Sequence, residues 1–143
     1  MAHETVSELR VRYAETDQMG VVYHANYLVW CEIGRTDFIR ALGKSYAAFE
    51  AEGLQLAVSE ATLRYLSSAR YDDAIIVRTR LTSVRSRAMT FHYRIHKAHG
   101  NDRLVDATTT LVALSASGRM ATLPPDLRGM MTAVLAPTFD DDQ

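Results

Sequence analysis

One long amphipathic helix pattern, from Tyr27 to Leu42, constrains the fold more than any other stretch of the chain. Its apolar residues recur at three- and four-residue steps, while most charged residues lie on the other side. Asn26 before it is a candidate N-cap, and Gly43 after it is a candidate stop residue. At about 1.5 Å per residue this helix spans about 24 Å, enough to cross a small sheet. Gly34 in its middle predicts a close approach to that sheet, because a mid-helix glycine otherwise costs about 1 kcal/mol.

The segments around this helix alternate apolar and polar residues with a period of two, as strands do. One strand is predicted before the helix at residues 9–13, and four after it at 56–65, 75–81, 89–95 and 104–114. A shorter helix is predicted at 45–52, a terminal helix at 126–135, and an acidic tail at 140–142. This order predicts one α+β domain for residues 1–143, in which a mainly antiparallel five-stranded sheet curls around one central helix.

The composition is that of an ordinary soluble protein and argues against several classes of function. The formal net charge of −1 gives no general reason to expect nucleic acid or an anionic membrane as partner. Cys31 is the only cysteine, so an internal disulfide and a thiolate metal cluster are both excluded. Residues 1–10 have no signal-peptide pattern, and no apolar run approaches the roughly 20 residues of a membrane helix. We therefore expect a cytoplasmic protein.

Two titratable residues lie close to the start of the long helix, within one short segment. Asp17 is in a turn next to Gly20, where an aspartate either caps the turn or serves as a nucleophile or general base. His24 precedes the helix, where it either packs against its neighbours or, through its side chain or backbone N–H, faces a developing oxyanion. The positive end of a helix stabilises negative charge, so the arrangement suits an acyl substrate. The residues alone leave both pairs of alternatives open.

Other residues argue against the commoner hydrolase chemistries. The sequence contains neither His-Glu-x-x-His nor Gly-x-Ser-x-Gly, which argues against a zincin and a common serine hydrolase. His92 and His96 lie about 13 Å apart along a strand, too far to share one metal ion. Five arginines surround the hairpin predicted at residues 85–87, namely Arg78, Arg80, Arg85, Arg87 and Arg94. Such a basic surface is either simply solvated or a docking site for ligand phosphates.

A motif with several fixed spacings surrounds Asp17 and His24. It reads Tyr13-x-Glu15-Thr-Asp17-x-x-Gly20-Val21-Val-Tyr23-His24-x-Asn26-Tyr27 and is followed by Glu32-x-x-Arg35-Thr. Supporting matches are Tyr65-x-x-x-Ala-Arg70-x-Asp72-Asp73 and the basic turn Arg85-Ser86-Arg87. With these motifs the chain resembles, from about residue 9 to about residue 123, the hot-dog-fold acyl-CoA thioesterases of the 4-hydroxybenzoyl-CoA thioesterase family. Within that family it is most similar to the bacterial enzymes associated with the Tol-Pal system.

The resemblance implies a role for each matching residue. Asp17 would be the catalytic carboxylate, and His24 a further catalytic participant. Backbone N–H groups around Tyr23 and His24 would polarise the thioester carbonyl. The thioester pocket and the helix start would involve Gly20, Val21, Tyr23, Asn26 and Tyr27, and the phosphates of coenzyme A would dock at Arg85, Ser86 and Arg87. The resemblance also implies a homotetramer of side-by-side dimers with sites at subunit interfaces, and no metal or cofactor apart from the coenzyme A of the substrate.

The expected activity is hydrolysis of a short-chain or aromatic acyl-CoA. One departure concerns the substrate: the chain has Ser67-Ser68 before Ala69-Arg70, where the Tol-Pal-associated proteins usually carry a proline. That segment borders the acyl pocket in the family. Two alternatives stay open, a thioesterase that acts on acyl carrier protein and a non-catalytic acyl-CoA-binding protein.

Overall fold

The computed structural model describes residues 3–100 and 102–140, which form one curved sheet with helices packed against it. The elements are β1 (Thr5–Arg10), a 3₁₀ turn (Tyr13–Glu15), α1 (Asn26–Arg40), α2 (Lys44–Ala51), β2 (Gln55–Tyr65), β3 (Ala74–Val84), β4 (Ala88–Lys97), β5 (Arg103–Leu114) and α3 (Pro125–Thr132). The sheet order is β1-β3-β4-β5-β2, and every neighbouring pair is antiparallel. The predicted α+β class is confirmed.

Helix α1 lies across the inner face of the sheet because its buried side chains share one stripe. That stripe consists of Tyr27, Trp30, Cys31, Gly34 and Phe38. At Gly34 a Cβ atom would lie 2.9 Å from Val77 Cγ1 and would also collide with Thr79 Oγ1. The predicted close approach of Gly34 to the sheet is therefore confirmed.

The start of α1 differs from the prediction. Ala25 occupies the N-cap position, and no side chain caps the helix there. Asn26 is the first helical residue, and its side-chain Nδ2 donates to the Glu15 carbonyl oxygen at 2.8 Å. The predicted N-cap role of Asn26 is wrong, because its amide holds the preceding loop instead. At the other end the helix stops at Arg40, and Gly43, with φ of 78°, separates α1 from α2.

The first strand is also shifted from its predicted place. It ends at Arg10, so that Tyr13 lies in the 3₁₀ turn and not in the sheet. The reason is local, since the N–H of Arg12 donates to the Glu15 carboxylate at 2.8 Å rather than to a neighbouring strand. The four later strands lie where alternation predicts them, each within three residues at either end.

Curvature of the sheet comes from irregular pairing in three ladders. The register shifts between Val58 and Glu60 in β2, between Leu81 and Ser83 in β3, and between Ile95 and His96 in β4. Bulges of this kind bend a strand and increase its twist, which lets the sheet wrap around α1.

The elements after β5 close one side of the sheet. Helix α3 packs through the buried Leu127 and Met131. Beyond it, Phe139 lies on the outer face of the sheet, and residues 141–142 of the predicted acidic tail lie outside the described residues. None of the helices among residues 3–100 and 102–140 is long and apolar enough to cross a membrane.

Candidate active site

Asp17 lies in a small closed loop that the chain forms between the 3₁₀ turn and α1. Thr16 pairs with Val22 across the loop, and the Asp17 N–H donates to the Val21 carbonyl at 2.8 Å. The N–H of Gly20 donates back to the Asp17 carbonyl at 3.0 Å, and Gly20 adopts a φ of 81°. Glycine reaches this left-handed conformation without steric cost, so it is the residue that lets the loop close.

The Asp17 carboxylate is fixed at one oxygen. Its Oδ1 accepts from the Met19 N–H at 2.9 Å and, more weakly, from the Val21 N–H at 3.4 Å. This is the turn-capping arrangement that was one alternative for Asp17. The other oxygen, Oδ2, has no partner among the described residues. The turn therefore orients the carboxylate and leaves one oxygen for a ligand, so the capping role and a catalytic role are compatible.

A cavity of about 330 Å³ opens beside this carboxylate. Its lining includes Asp17, Val21, His24, Tyr27, Tyr65 and Ser67. It thus brings together the two predicted catalytic residues and two of the predicted substrate-binding residues, Val21 and Tyr27. Gly20 does not line the cavity, but its conformation closes the loop of Asp17 and Val21, which do.

The start of α1 presents backbone N–H groups to this region. The Tyr23 N–H is already used, because it donates to the Glu15 carbonyl at 2.9 Å, and the Asn26 N–H donates to the Tyr23 carbonyl. Within the described chain, the N–H groups of His24 and Ala25 donate to no backbone or side-chain acceptor. Of the N–H groups around Tyr23 and His24 that are predicted to polarise a substrate carbonyl, the Tyr23 N–H is engaged here, and the His24 N–H has no acceptor among the described residues.

The His24 side chain is exposed between two aromatic rings. Its centroid lies 4.5 Å from the Tyr23 ring and 6.3 Å from the Tyr65 ring. No hydrogen bond or ion pair joins it to Asp17 in the part of the chain that the structure describes. The two residues are related because they line the same cavity.

Tyr65 begins a supporting motif in the sequence, but the sequence analysis assigns it no role in the site. Its hydroxyl donates to the His24 carbonyl at 3.1 Å, although the two residues are 41 positions apart. The hydroxyl of the buried Tyr27 accepts from the Ala69 N–H at 3.0 Å, and burial raises the pKa of Tyr27. These two tyrosines hold the segment after β2 against the start of α1, which forms the far wall of the cavity.

The basic turn at residues 85–87 is far from this cavity within one chain. It connects β3 to β4, whereas the loop of Asp17 lies near the opposite end of β3, where Val21 pairs with Arg70. The ten residue steps from Ala74 to Val84 correspond to about 33 Å of strand. Arg85, Ser86 and Arg87 are exposed, and they do not line the cavity.

Comparison with known proteins identifies the family. The model of the thioesterase-like superfamily matches residues 11–131. The chain belongs to this superfamily.

Members of the thioesterase-like superfamily resemble the chain over most of its length. The putative acyl-CoA thioesterase YneP of Bacillus subtilis is 40% identical over 98 residues, which are 68% of this chain and 71% of YneP. The acyl-CoA thioester hydrolase YbgC of Escherichia coli is 37% identical over 106 residues, 74% of this chain and 78% of YbgC. The crystal structure of a DHNA-CoA thioesterase from Staphylococcus aureus has a TM-score of 0.84 and 30% identity, covering 92% of this chain and 90% of that one. The predicted hot-dog fold is confirmed.

The five arginines expected to form one basic surface divide into two sets in this superfamily member. Arg78 and Arg80 both pair with Glu4 at 2.8 Å, and Arg94 pairs with Asp106 at 3.2 Å. These three line a separate cavity of about 290 Å³ on the outer face of the sheet, away from Asp17. The prediction of a single basic surface is wrong, because alternate strand residues face outward while the residues of the turn project beyond the strand ends.

Cys31 takes no part in the candidate site. It is buried in α1, and burial raises the pKa of its thiol to about 12, an effect that nearby Arg35 only partly opposes. A thiol this far from ionisation is a poor nucleophile at neutral pH. The predicted inert burial of Cys31 is confirmed. Among residues 3–100 and 102–140, no three side chains of the metal-binding types come together.

Proposed function

We propose that this member of the thioesterase-like superfamily hydrolyses the thioester of a short-chain or aromatic acyl-CoA. One observation carries the proposal: Asp17, whose Oδ2 has no hydrogen-bond partner among the described residues, lines the same cavity as His24. Thioester hydrolysis needs a placed nucleophile or base and a donor for the developing oxyanion. The open Oδ2 and the available His24 N–H meet both needs within one short segment.

Asp17 can act in either of two ways in this proposal. As a nucleophile, Oδ2 bonds to the thioester carbon, the C–S bond breaks, coenzyme A leaves as thiolate, and water hydrolyses the resulting acyl-aspartyl anhydride. As a general base, Oδ2 takes a proton from the attacking water, and that proton then passes to the leaving thiolate. In both cases the His24 N–H donates to the oxyanion, and the His24 imidazole stands beside the reacting groups.

These two roles differ in whether the chain becomes acylated. Rapid quenching during the first turnover, followed by mass spectrometry of peptides containing Asp17, distinguishes them. A mass increase equal to the acyl group indicates the nucleophile, and an unmodified peptide at every time point indicates the base.

The basic turn is the proposed docking site for the phosphates of coenzyme A. Among the described residues, the side chains of Arg85 and Arg87 make no hydrogen bond or ion pair, so their guanidinium groups are free to bind a ligand. Because the turn and the Asp17 loop lie at opposite ends of β3, we propose that a neighbouring subunit of a homotetramer brings them together. Exposed apolar side chains on α1, namely Leu28, Val29 and Ile33, and the unpaired edge of β2 support such an assembly.

The motif around Asp17 and the similarity to YbgC support a finer assignment. We propose that the protein belongs to the 4-hydroxybenzoyl-CoA thioesterase subfamily, near the Tol-Pal-associated enzymes. We also propose that it acts in the cytoplasm, for which the single cysteine of the sequence is the support.

The variant Asp17→Asn tests the proposed function. Asparagine keeps an oxygen that accepts from the Met19 N–H, so the loop is expected to fold, but it cannot attack a carbonyl or take a proton. We expect turnover of acyl-CoA to fall by about 10²- to 10⁴-fold in a thiol-release assay over short, long and aromatic acyl groups. Asp37→Asn is the matched control, because Asp37 is on the far turn of α1 and pairs with Arg40. Wild-type turnover in Asp17→Asn would overturn the mechanism.

Two alternatives have distinct outcomes in the same assays. A thioesterase specific for acyl carrier protein would hydrolyse the carrier-bound acyl group faster than the matched acyl-CoA. A non-catalytic acyl-CoA-binding protein would bind these ligands with no hydrolysis of any member of the panel.

A further inference from the structure

Glu15 is a buried carboxylate that the proposed chemistry does not use. Only 5% of the residue is exposed. Its Oε2 accepts from the indole Nε1–H of Trp30 at 2.8 Å, and its Oε1 accepts from the Arg12 N–H at 2.8 Å. The Arg12 guanidinium lies 3.6 Å from Oε1 on the solvent side. Because both oxygens are bound, the carboxylate is not placed to exchange protons with a substrate.

The main chain of Glu15 makes two more connections. Its carbonyl accepts from the Tyr23 N–H at 2.9 Å and from Asn26 Nδ2 at 2.8 Å. A single residue at the end of the 3₁₀ turn therefore bonds to Arg12 before the turn, to Tyr23 in the segment before α1, and to Asn26 and Trp30 in α1 itself.

These connections define the position of the Asp17 loop. Glu15 lies two residues before Asp17, and the next residue, Thr16, pairs with Val22 to close the loop. Trp30 is fully buried beneath, one helical turn after the start of α1. The carboxylate of Glu15 thus ties the loop that carries Asp17 to the helix whose start carries the free His24 N–H. Its carbonyl also occupies the Tyr23 N–H, so that among the described residues the next N–H groups without an acceptor are those of His24, which lines the cavity, and Ala25.

We propose that Glu15 is a positioning residue, which sets the distance between the Asp17 carboxylate and the N–H groups at the start of α1. This inference rests on the proposed function, since the distance matters only if both groups act on one carbonyl. Charge-assisted hydrogen bonds are shorter and stronger than neutral ones, so a carboxylate holds this geometry better than an amide. A displacement of about 1 Å in such a pair can lower a rate by about 100-fold.

The test compares Glu15→Gln and Glu15→Ala with the wild-type chain. Glutamine can still accept from the Trp30 indole through its one carbonyl oxygen, but its NH₂ group cannot accept from the Arg12 N–H. Glu15→Gln therefore keeps one of the two side-chain hydrogen bonds. Alanine removes both acceptors. We expect kcat for acyl-CoA to fall by about 10- to 100-fold in Glu15→Ala, with a smaller fall in Glu15→Gln. We expect KM to change little, because the substrate contacts of the ground state are retained.

Two readouts separate positioning from a purely structural role. Trp30 is the only tryptophan, so its fluorescence reports directly on the loss of its carboxylate partner. Thr109→Val is the matched control for stability, because it removes a buried hydrogen bond between Thr109 on β5 and Tyr93 on β4, and neither residue lines the cavity. Under conditions in which all variants are folded, we expect a loss of kcat in Glu15→Ala and none in Thr109→Val.

Each outcome has one meaning. A folded Glu15→Ala chain with altered Trp30 fluorescence and wild-type kcat would overturn the positioning role while leaving the proposed function intact. An equal loss of kcat in Thr109→Val would also overturn it, because the effect would then follow stability. Absence of hydrolysis by the wild-type chain over the whole thioester panel would instead overturn the proposed function and this inference together.

Discussion

Gly34 of α1 and Thr79 of β3 are in direct contact, with no space for a side chain between helix and sheet. Substitution of Gly34 by alanine is expected to destabilise the fold, because the new methyl group collides with the β-branched Thr79 and Val77. Overpacking of this kind costs about 1–3 kcal/mol, whereas replacing glycine by alanine within a helix gains about 1 kcal/mol in helix propensity. Over most of its range the overpacking cost is the larger of the two. The free energy of unfolding in urea measures the difference.

Gly129 of α3 provides the matched control. Apart from the backbone of its own helix, no atom of the described residues lies within 4 Å of a Cβ atom built on Gly129. Gly129→Ala is therefore expected to stabilise the fold by up to about 1 kcal/mol through helix propensity alone. Equal effects of the two substitutions would show that contact with the sheet does not decide the result at Gly34.

Two buried threonines are expected to respond in opposite directions to the same substitution. Thr79 and Thr109 are both fully buried in the sheet. Thr79 Oγ1 has no hydrogen-bond partner among the described residues, while Thr109 Oγ1 lies 2.7 Å from the Tyr93 hydroxyl. Valine has nearly the same shape. We expect Thr79→Val to raise the free energy of unfolding, and Thr109→Val to lower it, each by about 1 kcal/mol. Destabilisation by Thr79→Val would show that its hydroxyl is satisfied in solution.

The stability of the fold is expected to decrease in alkali. Burial raises the pKa of Cys31 from 9.0 to about 12, and raises the pKa of Tyr46 and of Tyr93 from 10.0 to about 12. The unfolded chain ionises first, so the contribution of these groups is fully present below pH 9 and is lost as the pH rises to about 12. Urea titrations at several pH values measure this loss.

A thiol reagent gives an independent check on Cys31. At pH 8 we expect labelling only after unfolding, because the buried thiol is both inaccessible and un-ionised. Labelling of the folded chain as fast as the urea-unfolded chain would contradict that expectation.

The basic turn is expected to discriminate coenzyme A from smaller thiols. Replacement of Arg85 and Arg87 by alanine removes two guanidinium groups that would bind phosphate. We expect KM for an acyl-CoA to rise by about 10-fold or more, with little change for the same acyl group on a thiol without phosphates. Arg128→Ala is the control, since Arg128 is an exposed arginine on α3. An equal rise for both thioesters would exclude phosphate docking at the turn.

Tyr65 is expected to support the His24 backbone. Tyr65→Phe removes the hydroxyl that donates to the His24 carbonyl but keeps the ring beside the imidazole. Since one hydrogen bond contributes about 1 kcal/mol, we expect kcat to fall by about 2- to 10-fold. Tyr71→Phe is the control, because Tyr71 is exposed and does not line the cavity. An unchanged kcat in Tyr65→Phe would show that the His24 position does not depend on this contact.

The fold was largely predictable because its signals are local. The stripe from Tyr27 to Phe38 marks α1 through spacing alone, and alternation marks the strands from β2 to β5. The 3₁₀ turn was not predictable in the same way, since it depends on where the Glu15 carboxylate finds its donors. Alternation alone therefore predicts a strand from Leu9 to Tyr13, whereas the strand in the structure ends at Arg10.

The sequence selects candidate site residues, but it does not show their contacts. A motif identifies Asp17 and His24, yet it does not show which oxygen or which N–H is free. The contact of Tyr65 with His24 joins residues 41 positions apart, and no periodicity connects them. Asn26 is not the N-cap that the sequence predicts, because capping preferences describe an isolated helix, whereas here the side-chain amide binds the carbonyl of Glu15 in the preceding loop.

The length of β3 has a consequence for how defects combine. If the turn of one copy serves the Asp17 loop of another, no single chain contains a whole site. A chain that lacks the Asp17 carboxylate and a chain that lacks the turn arginines would each be defective alone. In a mixed assembly, the intact turn of the first chain would serve the intact Asp17 loop of the second, and the two damaged parts would meet in another site. Complementation between two impaired copies would therefore recover activity that neither has by itself.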